Sequence, residues 1–157
     1  LEKNRASKDE YFSDIDNPTR LEFLTSIALV QAYPNITVKP NYSIDDEGNP
    51  VFTARGGIAD IEVYDIISDS LVEVTLLQNK SQAVNEIPGI TRHLEEFKNS
   101  SSKDKVFSLF IAPKIHQDTI YMCEFSKDRY KLDIFPYTIS EFVLKLSNTK
   151  NIYEFVE

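Results

Sequence analysis

Two short apolar stretches, each interrupted by acidic residues, decide the fold: Gly57-Ile58-Ala59-Asp60-Ile61-Glu62-Val63 and Leu71-Val72-Glu73-Val74-Thr75. Both are rich in β-branched residues, which predicts two strands. A carboxylate is costly to bury unless it is paired or binds a metal. Asp60 and Glu73 are therefore the positions that need an explanation, and Glu73, amid leucines and valines, is the stronger case.

The pairing register of these two strands decides whether the acids meet. A hairpin with a short loop near residues 65–68 would place Asp60 beside Glu73. Turn chemistry is stronger at residues 68–70, and a turn there would set Asp65 opposite Glu73 and move Asp60 about 17 Å along its strand. We favour the first register, because an acid at a strand end, such as Asp65, needs no special explanation.

Helix and strand signals alternate along the rest of the chain. Asn17-Pro18 combines a good N-cap with a proline suited to the first helical turn. Pro88 either occupies the first turn of a helix or kinks it, and the unbroken apolar run at residues 106–112 predicts a central strand buried on both faces. The predicted elements are a helix at 18–32, strands at 37–42, 51–65 and 71–77, a helix around 87–97, a strand at 106–112, a helix at 117–129, a strand at 131–135, and a last helix after the capping box of Thr138 and Glu141.

The chain has the size of one domain. Its 157 residues contain no internal repeat or linker, and folding at this size buries roughly 68–70% of the surface that the unfolded chain exposes. The order of helices and strands predicts an α/β fold. Residues 1–16 are charged and nearly patternless, so we expect a flexible N-terminal arm before a single domain at residues 17–157.

Charge and cysteine content narrow the function classes. With 17 Lys and Arg against 25 Asp and Glu, the net charge is −8, which disfavours a protein that binds nucleic-acid phosphates by itself. The single Cys123 cannot close an intramolecular disulfide, and neither a leader nor a bilayer-spanning apolar stretch is recognisable. We therefore expect a cytoplasmic protein without a membrane partner, although a start at Leu1 rather than Met leaves a lost leader open.

Motifs for several other chemistries are missing from the sequence. It contains no Walker loop and no Gly-x-Gly-x-x-Gly, and one Cys with two His does not support a zinc site. Cys123 beside Met122 is typical of a small buried hydrophobe rather than a nucleophile. Paired carboxylates on adjacent strands, by contrast, suit Mg²⁺, an ion that serves phosphodiester hydrolysis.

The two opening stretches resemble a known nuclease family. Gly-Ile-Ala-Asp60 followed by Val-Glu73-Val-Thr is similar to the PD-(D/E)xK nucleases, and in particular to the cleavage domains of type IIS and nicking restriction endonucleases that recognise GAGTC. Over most of its length the chain resembles the small subunit of a heterodimeric member. The resemblance implies a restriction-endonuclease-like core, a central mixed β-sheet flanked by helices. It also implies a bacterial Mg²⁺-dependent endonuclease subunit, with Mn²⁺ as a substitute, that cuts one strand of double-stranded DNA beside a site recognised by a larger nicking subunit.

The same resemblance implies a set of site residues. Asp60 and Glu73 become the metal ligands, and Glu22, Glu86 and His93 complete the catalytic set. Glu86 and His93 are seven positions apart, so on one helix they would project from nearly the same face.

Two positions depart from the family pattern. Ala59 stands where a proline is usual before the first aspartate, and Thr75 stands where a lysine is expected. A threonine cannot supply positive charge to the nucleophile or the transition state. That role is therefore empty, or is taken by His93 or by a nearby lysine such as Lys80.

Each candidate residue also has an ordinary interpretation. Asp60 could be solvated on the outer face of an edge strand, Glu22 could be a favourable charge in a first helical turn, and a lone histidine is more often structural. Two alternatives to a catalytic subunit stay open. One is a catalytically silent interaction subunit, which the missing lysine supports, and the other is a self-sufficient repair or structure-specific nuclease, which the net charge argues against. We expect the isolated chain to be a monomer.

Overall fold

The structure is a computed structural model, and it describes residues 12–156. Its elements in chain order are α1 (Asn17–Ala32), β1 (Thr37–Pro40), β2 (Ser43–Ile44), β3 (Pro50–Phe52), β4 (Ile61–Tyr64), β5 (Asp69–Val74), a π-helical turn (Gln82–Glu86), α2 (Ile87–Ser100), β6 (Val106–Ala112), α3 (Gln117–Tyr130), β7 (Ile134–Thr138), α4 (Ile139–Asn148) and a 3₁₀ turn (Ile152–Phe155). The predicted arm at residues 1–16 lies mostly outside the described residues. From Phe12 onward the chain packs on α1, where the rings of Phe12 and Phe23 are 6.0 Å apart.

A five-stranded mixed sheet in the order β1-β4-β5-β6-β7 forms the centre of the fold. The pairs β1/β4 and β4/β5 are antiparallel, whereas β5/β6 and β6/β7 are parallel. Every residue of β6 is buried, which confirms its predicted central position. Its alternate side chains enter two apolar clusters, with Leu109 on the face covered by α1 and α4 and Phe110 on the face covered by α2 and α3. The α/β fold with a mixed sheet flanked by helices is thus as predicted.

Strands β4 and β5 pair in the favoured register. Ile61 faces Val72, so the two acids just beyond this pair become neighbours. A backbone hydrogen bond of 2.9 Å joins the ends of the turn at residues 65–68. The rival turn at residues 68–70 is wrong, because those residues are buried and two of them already pair within the sheet.

Residues 51–65 do not form the single strand that their composition predicts. β3 ends at Phe52, β4 begins at Ile61, and a loop of residues 53–60 separates them. Gly57 in this loop has a φ of 95°, a conformation that residues with a side chain rarely adopt. β3 instead pairs with β2 in a small hairpin outside the main sheet.

Helix boundaries follow the predicted signals with small shifts. The N-cap of α1 is Asp16 rather than Asn17. Pro88 lies in the first turn of α2. The N–H groups of a first turn have no partner within the helix, so a proline there costs no helical hydrogen bond. The predicted capping box begins α4, with the N–H of Glu141 donating to Oγ1 of Thr138 at 3.2 Å.

Two local features depart from the sequence patterns. The last strand begins at Ile134 instead of residue 131, because Lys131 ends α3 in the left-handed conformation with a φ of 59°. The π-helical turn before α2 has no signal in the hydrophobic periodicity. From residue 12 to residue 156, none of the helices combines the length and apolar character that crossing a bilayer requires.

Candidate active site

Asp60 and Glu73 are held side by side at the open end of the β4–β5 hairpin. The backbone N–H of Val74 donates to Oδ2 of Asp60 at 2.8 Å, and the backbone N–H of Asp60 donates to Oε2 of Glu73 at 3.3 Å. Each carboxylate therefore accepts a hydrogen bond from the backbone of the opposite strand. These two bonds extend the contact between the strands beyond the last paired residues, Ile61 and Val72. Glu73 is only 6% exposed, and Asp60 is partly buried.

Glu22 reaches the same region from α1. Its side chain is 4% exposed, and Oε2 accepts a hydrogen bond of 2.9 Å from the backbone N–H of Ala54. The other end of the loop at residues 53–60 is fixed by Asn41, whose side-chain amide donates to the carbonyl of Ala59 at 2.9 Å. The loop is held at both ends, so Glu22 is not the solvated helix-end charge of the ordinary interpretation.

His93 and Glu86 approach the pair from α2 and the π-helical turn. Nδ1 of His93 lies 2.9 Å from Oε1 of Glu73, and because an ionised carboxylate only accepts, this nitrogen then carries the proton. Within the described part of the chain, the buried Nε2 of His93 has no hydrogen-bond partner. Glu86 is half-buried and lines one cleft together with His93, as their spacing predicts.

All five predicted residues lie around two neighbouring clefts. The larger cleft has a volume of about 500 Å³ and is lined by Glu22, Asp60 and Glu86 among others. The smaller cleft, of about 270 Å³, is lined by Asp60, Glu73, Glu86 and His93. The structure thus brings together residues that are far apart in the sequence, and Asp60 and Glu86 belong to both clefts.

Burial and the charges of neighbouring carboxylates raise the pKa values of three acids in these clefts. Burial raises the pKa of Glu22 to about 7 against the effect of its hydrogen bond from Ala54, and the charge of Glu73 adds to the rise. Burial also raises the pKa of Asp60 well above its usual value, with further contributions from Glu73 and Glu22. The pKa of Glu86 is raised by burial and by the charge of Glu73. Such a cluster favours a bound proton or a bound cation.

The donor set suits a hard divalent cation. Its atoms are carboxylate oxygens, which Mg²⁺ prefers. Burial and repulsion between carboxylates raise the pKa of Asp60, and a bound cation would relieve that repulsion. Among residues 12–156, no three His, Cys, Asp or Glu side chains are grouped to hold a metal ion by themselves. Asp60 and Glu73 are the pair that would hold it, since Mg²⁺ commonly takes one or two carboxylates and completes its shell with water and substrate phosphates.

Thr75 stands where a lysine is expected, and no lysine among residues 12–156 lines either cleft to supply the missing positive charge. Lys80 is exposed and lines neither cleft. Arg55, from the loop before β4, and Arg92, from α2, line the smaller cleft instead. The sequence patterns miss both residues, because they place Arg55 in a strand and give Arg92 no signal beyond its position next to His93.

Nearly the whole chain matches one known protein family. The family model for the AlwI restriction endonuclease matches residues 2–144. The chain belongs to the AlwI restriction endonuclease family. All five candidate residues of this AlwI-family chain lie within the matched region.

Solved structures include one with the same fold. The AlwI-family chain is similar to the crystal structure of the small subunit (R.BspD6I2) of the heterodimeric restriction endonuclease R.BspD6I. The TM-score is 0.78 and the sequence identity is 22%, over 94% of this chain and 73% of that chain. This likeness confirms the restriction-endonuclease-like fold. A search of curated proteins gave no match.

Proposed function

We propose that this AlwI-family chain is the Mg²⁺-dependent catalytic subunit of a type IIS restriction endonuclease. It hydrolyses one strand of double-stranded DNA beside a site recognised by a larger subunit, with Mn²⁺ able to replace Mg²⁺. The observation that carries the proposal is the pairing of Asp60 and Glu73, each bound to the backbone of the other strand at the edge of an acidic cleft.

The contacts of each residue support a separate role. Asp60 and Glu73 would hold the divalent ion, which when bound neutralises charge on the phosphate and lowers the pKa of a bound water. Glu86 lies half-buried in both clefts with a raised pKa, which suits a group that accepts the proton of the attacking water. Glu22 fixes the loop that leads to Asp60.

His93 acts through Glu73 in this proposal. Its Nδ1 fixes one oxygen of Glu73 at 2.9 Å, and its Nε2 is buried away from solvent. A ring in that position orients a carboxylate better than it activates a water. We therefore assign His93 as a positioning residue.

A larger DNA-recognising subunit is part of the proposal because of charge. The net charge of −8 leaves the chain poorly suited to attract DNA alone, whereas a basic partner would bring the acidic cleft to the backbone. The similar fold of R.BspD6I2, described as the small subunit of a heterodimeric enzyme, supports this arrangement. We place the complex in the bacterial cytoplasm and propose that the isolated chain is a monomer.

A plasmid assay with three mixtures tests the proposal. The chain is incubated with Mg²⁺ and supercoiled plasmid alone, with a candidate larger subunit, and with that subunit carrying an inactivated active site. We expect no nicking by the chain alone, double-strand cleavage with the active partner, and single-strand nicking with the inactivated partner. Two results together would contradict a catalytic role. The plasmid stays intact in the third mixture, and the larger subunit alone cleaves the plasmid in the same way as the second mixture does.

A catalytically silent docking subunit is the second candidate function. Thr75 in the place of the lysine that is usual in PD-(D/E)xK nucleases favours it. Under this alternative the inactivated partner stays inactive after the chain is added, while binding between the two subunits is unaffected. Size-exclusion chromatography of the third mixture separates a silent bound subunit from a chain that does not associate.

A further inference from the structure

Two arginines line the same cleft as the carboxylates that we propose to be catalytic. Arg55 enters from the loop at residues 53–60, and Arg92 enters from α2. Both arginines are exposed. In the described part of the chain, neither guanidinium group forms an ion pair or a hydrogen bond. Two unneutralised cations therefore stand at an acidic cleft.

These arginines do not serve to neutralise the acids. Within the described residues, no ion pair joins Arg55 or Arg92 to an Asp or Glu side chain of the cleft. The two guanidinium groups are free for a ligand of the opposite charge.

The backbone at both arginines is well fixed. The N–H of Ala54, next to Arg55, is bound to the buried carboxylate of Glu22 at 2.9 Å, and a turn hydrogen bond of 3.3 Å joins the N–H of Ile58 to the carbonyl of Arg55. Arg92 lies on α2 next to His93, whose ring is bound to Glu73. Side chains on an ordered backbone lose less entropy when they bind a ligand than side chains on a mobile segment.

We propose that Arg55 and Arg92 bind backbone phosphates of the DNA strand held in the smaller cleft. A guanidinium group presents a planar set of donors that matches a phosphate, and it keeps its charge at every pH that the enzyme meets. The pair supplies the positive charge that Thr75 does not. This inference rests on the proposed nuclease function and names the residues by which the same site binds its substrate.

The test is binding of a fluorescently labelled DNA duplex by the chain together with the inactivated larger subunit, measured as anisotropy with Ca²⁺ in place of Mg²⁺ over roughly 50 to 200 mM salt. Arg55→Ala and Arg92→Ala are compared singly and together, with Arg129→Ala as the control, because Arg129 is also exposed but lies on α3 outside the cleft. We expect each cleft variant to bind roughly tenfold more weakly or worse. Each should also reduce the slope of log K against log salt by about 0.9.

A conservative variant separates charge from geometry. Arg92→Lys should keep most of the salt slope, because the charge is kept, but should lose affinity because a lysine cannot bind a phosphate through two parallel donors. Circular dichroism checks that every variant is folded. Unchanged DNA binding by the complex with the double variant, or an equal loss with Arg129→Ala, would overturn the proposal.

The outcome is distinguishable from failure of the proposed function. If the arginine variants lose DNA binding while Asp60→Ala leaves plasmid nicking unchanged, the phosphate-binding inference stands and the catalytic proposal fails. If nicking depends on Asp60 but DNA binding is insensitive to both arginines, the nuclease stands and this inference fails.

Discussion

Glu62 and Asp60 lie two positions apart at the start of β4, yet their surroundings are opposite. Glu62 accepts hydrogen bonds from Nζ of Lys39 at 3.0 Å, from the side-chain amide of Asn41 at 3.1 Å and from the hydroxyl of Tyr64 at 2.5 Å. Burial alone would raise the pKa of Glu62, but these partners outweigh it and leave the pKa below its usual value. Glu62 is thus an acid whose charge the fold accommodates.

Asp60 has one backbone donor and several acidic neighbours. Its hydrogen bond from Val74 does not offset burial and the charges of Glu73 and Glu22, so its pKa is well above its usual value. Burial and acidic neighbours together raise the pKa of Asp60, whereas the donors around Glu62 stabilise its charged form. The balance of these effects separates a structural carboxylate from one placed to bind a cation or a proton. Groups whose pKa is strongly shifted in a cleft are candidates for function on this physical ground.

The largest expected difference between Asp60 and Glu62 is in DNA cleavage. We expect Asp60→Ala and Glu73→Ala to reduce plasmid nicking, with the inactivated partner present, by about a thousandfold or more, since each removes a proposed ion ligand. Glu62→Ala should keep activity within roughly tenfold, because it loses only structural hydrogen bonds. Nicking rates under single-turnover conditions measure all three. A loss in Glu62→Ala as large as in Asp60→Ala would remove the distinction.

A smaller effect concerns the contribution of Glu22 to the stability of the fold, which decreases as the pH rises. Because its folded-state pKa is raised from 4.5 to about 7, its contribution to stability is full below pH 4.5 and is lost as the pH rises through about 7. Glu22→Gln keeps an acceptor for the Ala54 N–H but carries no charge. Without metal, we expect its free energy of unfolding to match that of the wild type at pH 4.5 and to exceed it by up to about 3 kcal/mol at pH 8. Denaturant titrations across this range check it, and parallel pH curves would contradict it.

The positioning role of His93 predicts a milder loss. His93→Ala should lower nicking roughly 10- to 100-fold and raise the Mg²⁺ concentration needed for half-maximal activity, because Oε1 of Glu73 loses its partner. His93→Asn retains a side-chain N–H that can donate to Glu73, so it should recover much of both quantities. A merely structural histidine would not change the Mg²⁺ dependence. An unchanged Mg²⁺ requirement in His93→Ala would therefore count against the role.

The sequence predicts the pairing of Asp60 and Glu73 because a buried carboxylate needs a partner. Asp60 and Glu73 interrupt apolar runs, and only one hairpin register makes them neighbours, so burial and pairing together determine the answer. The loop at residues 53–60 is different. Its composition suits a strand, and its shape depends on Gly57 and on tertiary hydrogen bonds from Glu22 and Asn41 that no local pattern encodes.

Dependence on tertiary structure also explains why the sequence patterns do not predict Arg55 and Arg92 as site residues. Arg55 reaches the cleft only because the loop leaves the strand direction, and Arg92 is one of many exposed helix residues until α2 is packed against the sheet. The π-helical turn that precedes α2 likewise lacks a signal, because a change in helical hydrogen bonding leaves little trace in hydrophobic periodicity.

A thermal titration with Mn²⁺ measures whether Asp60 and Glu73 bind a divalent cation while Glu62 does not. An ion that binds only the folded chain raises Tm, by about 2–4 °C per kcal/mol for a chain of this size. We expect saturating Mn²⁺ to raise the Tm of the wild type and of Glu62→Gln by several degrees and to leave that of Asp60→Asn unchanged. An equal rise in Asp60→Asn and the wild type would contradict the claim, and so would the absence of any rise in the wild type.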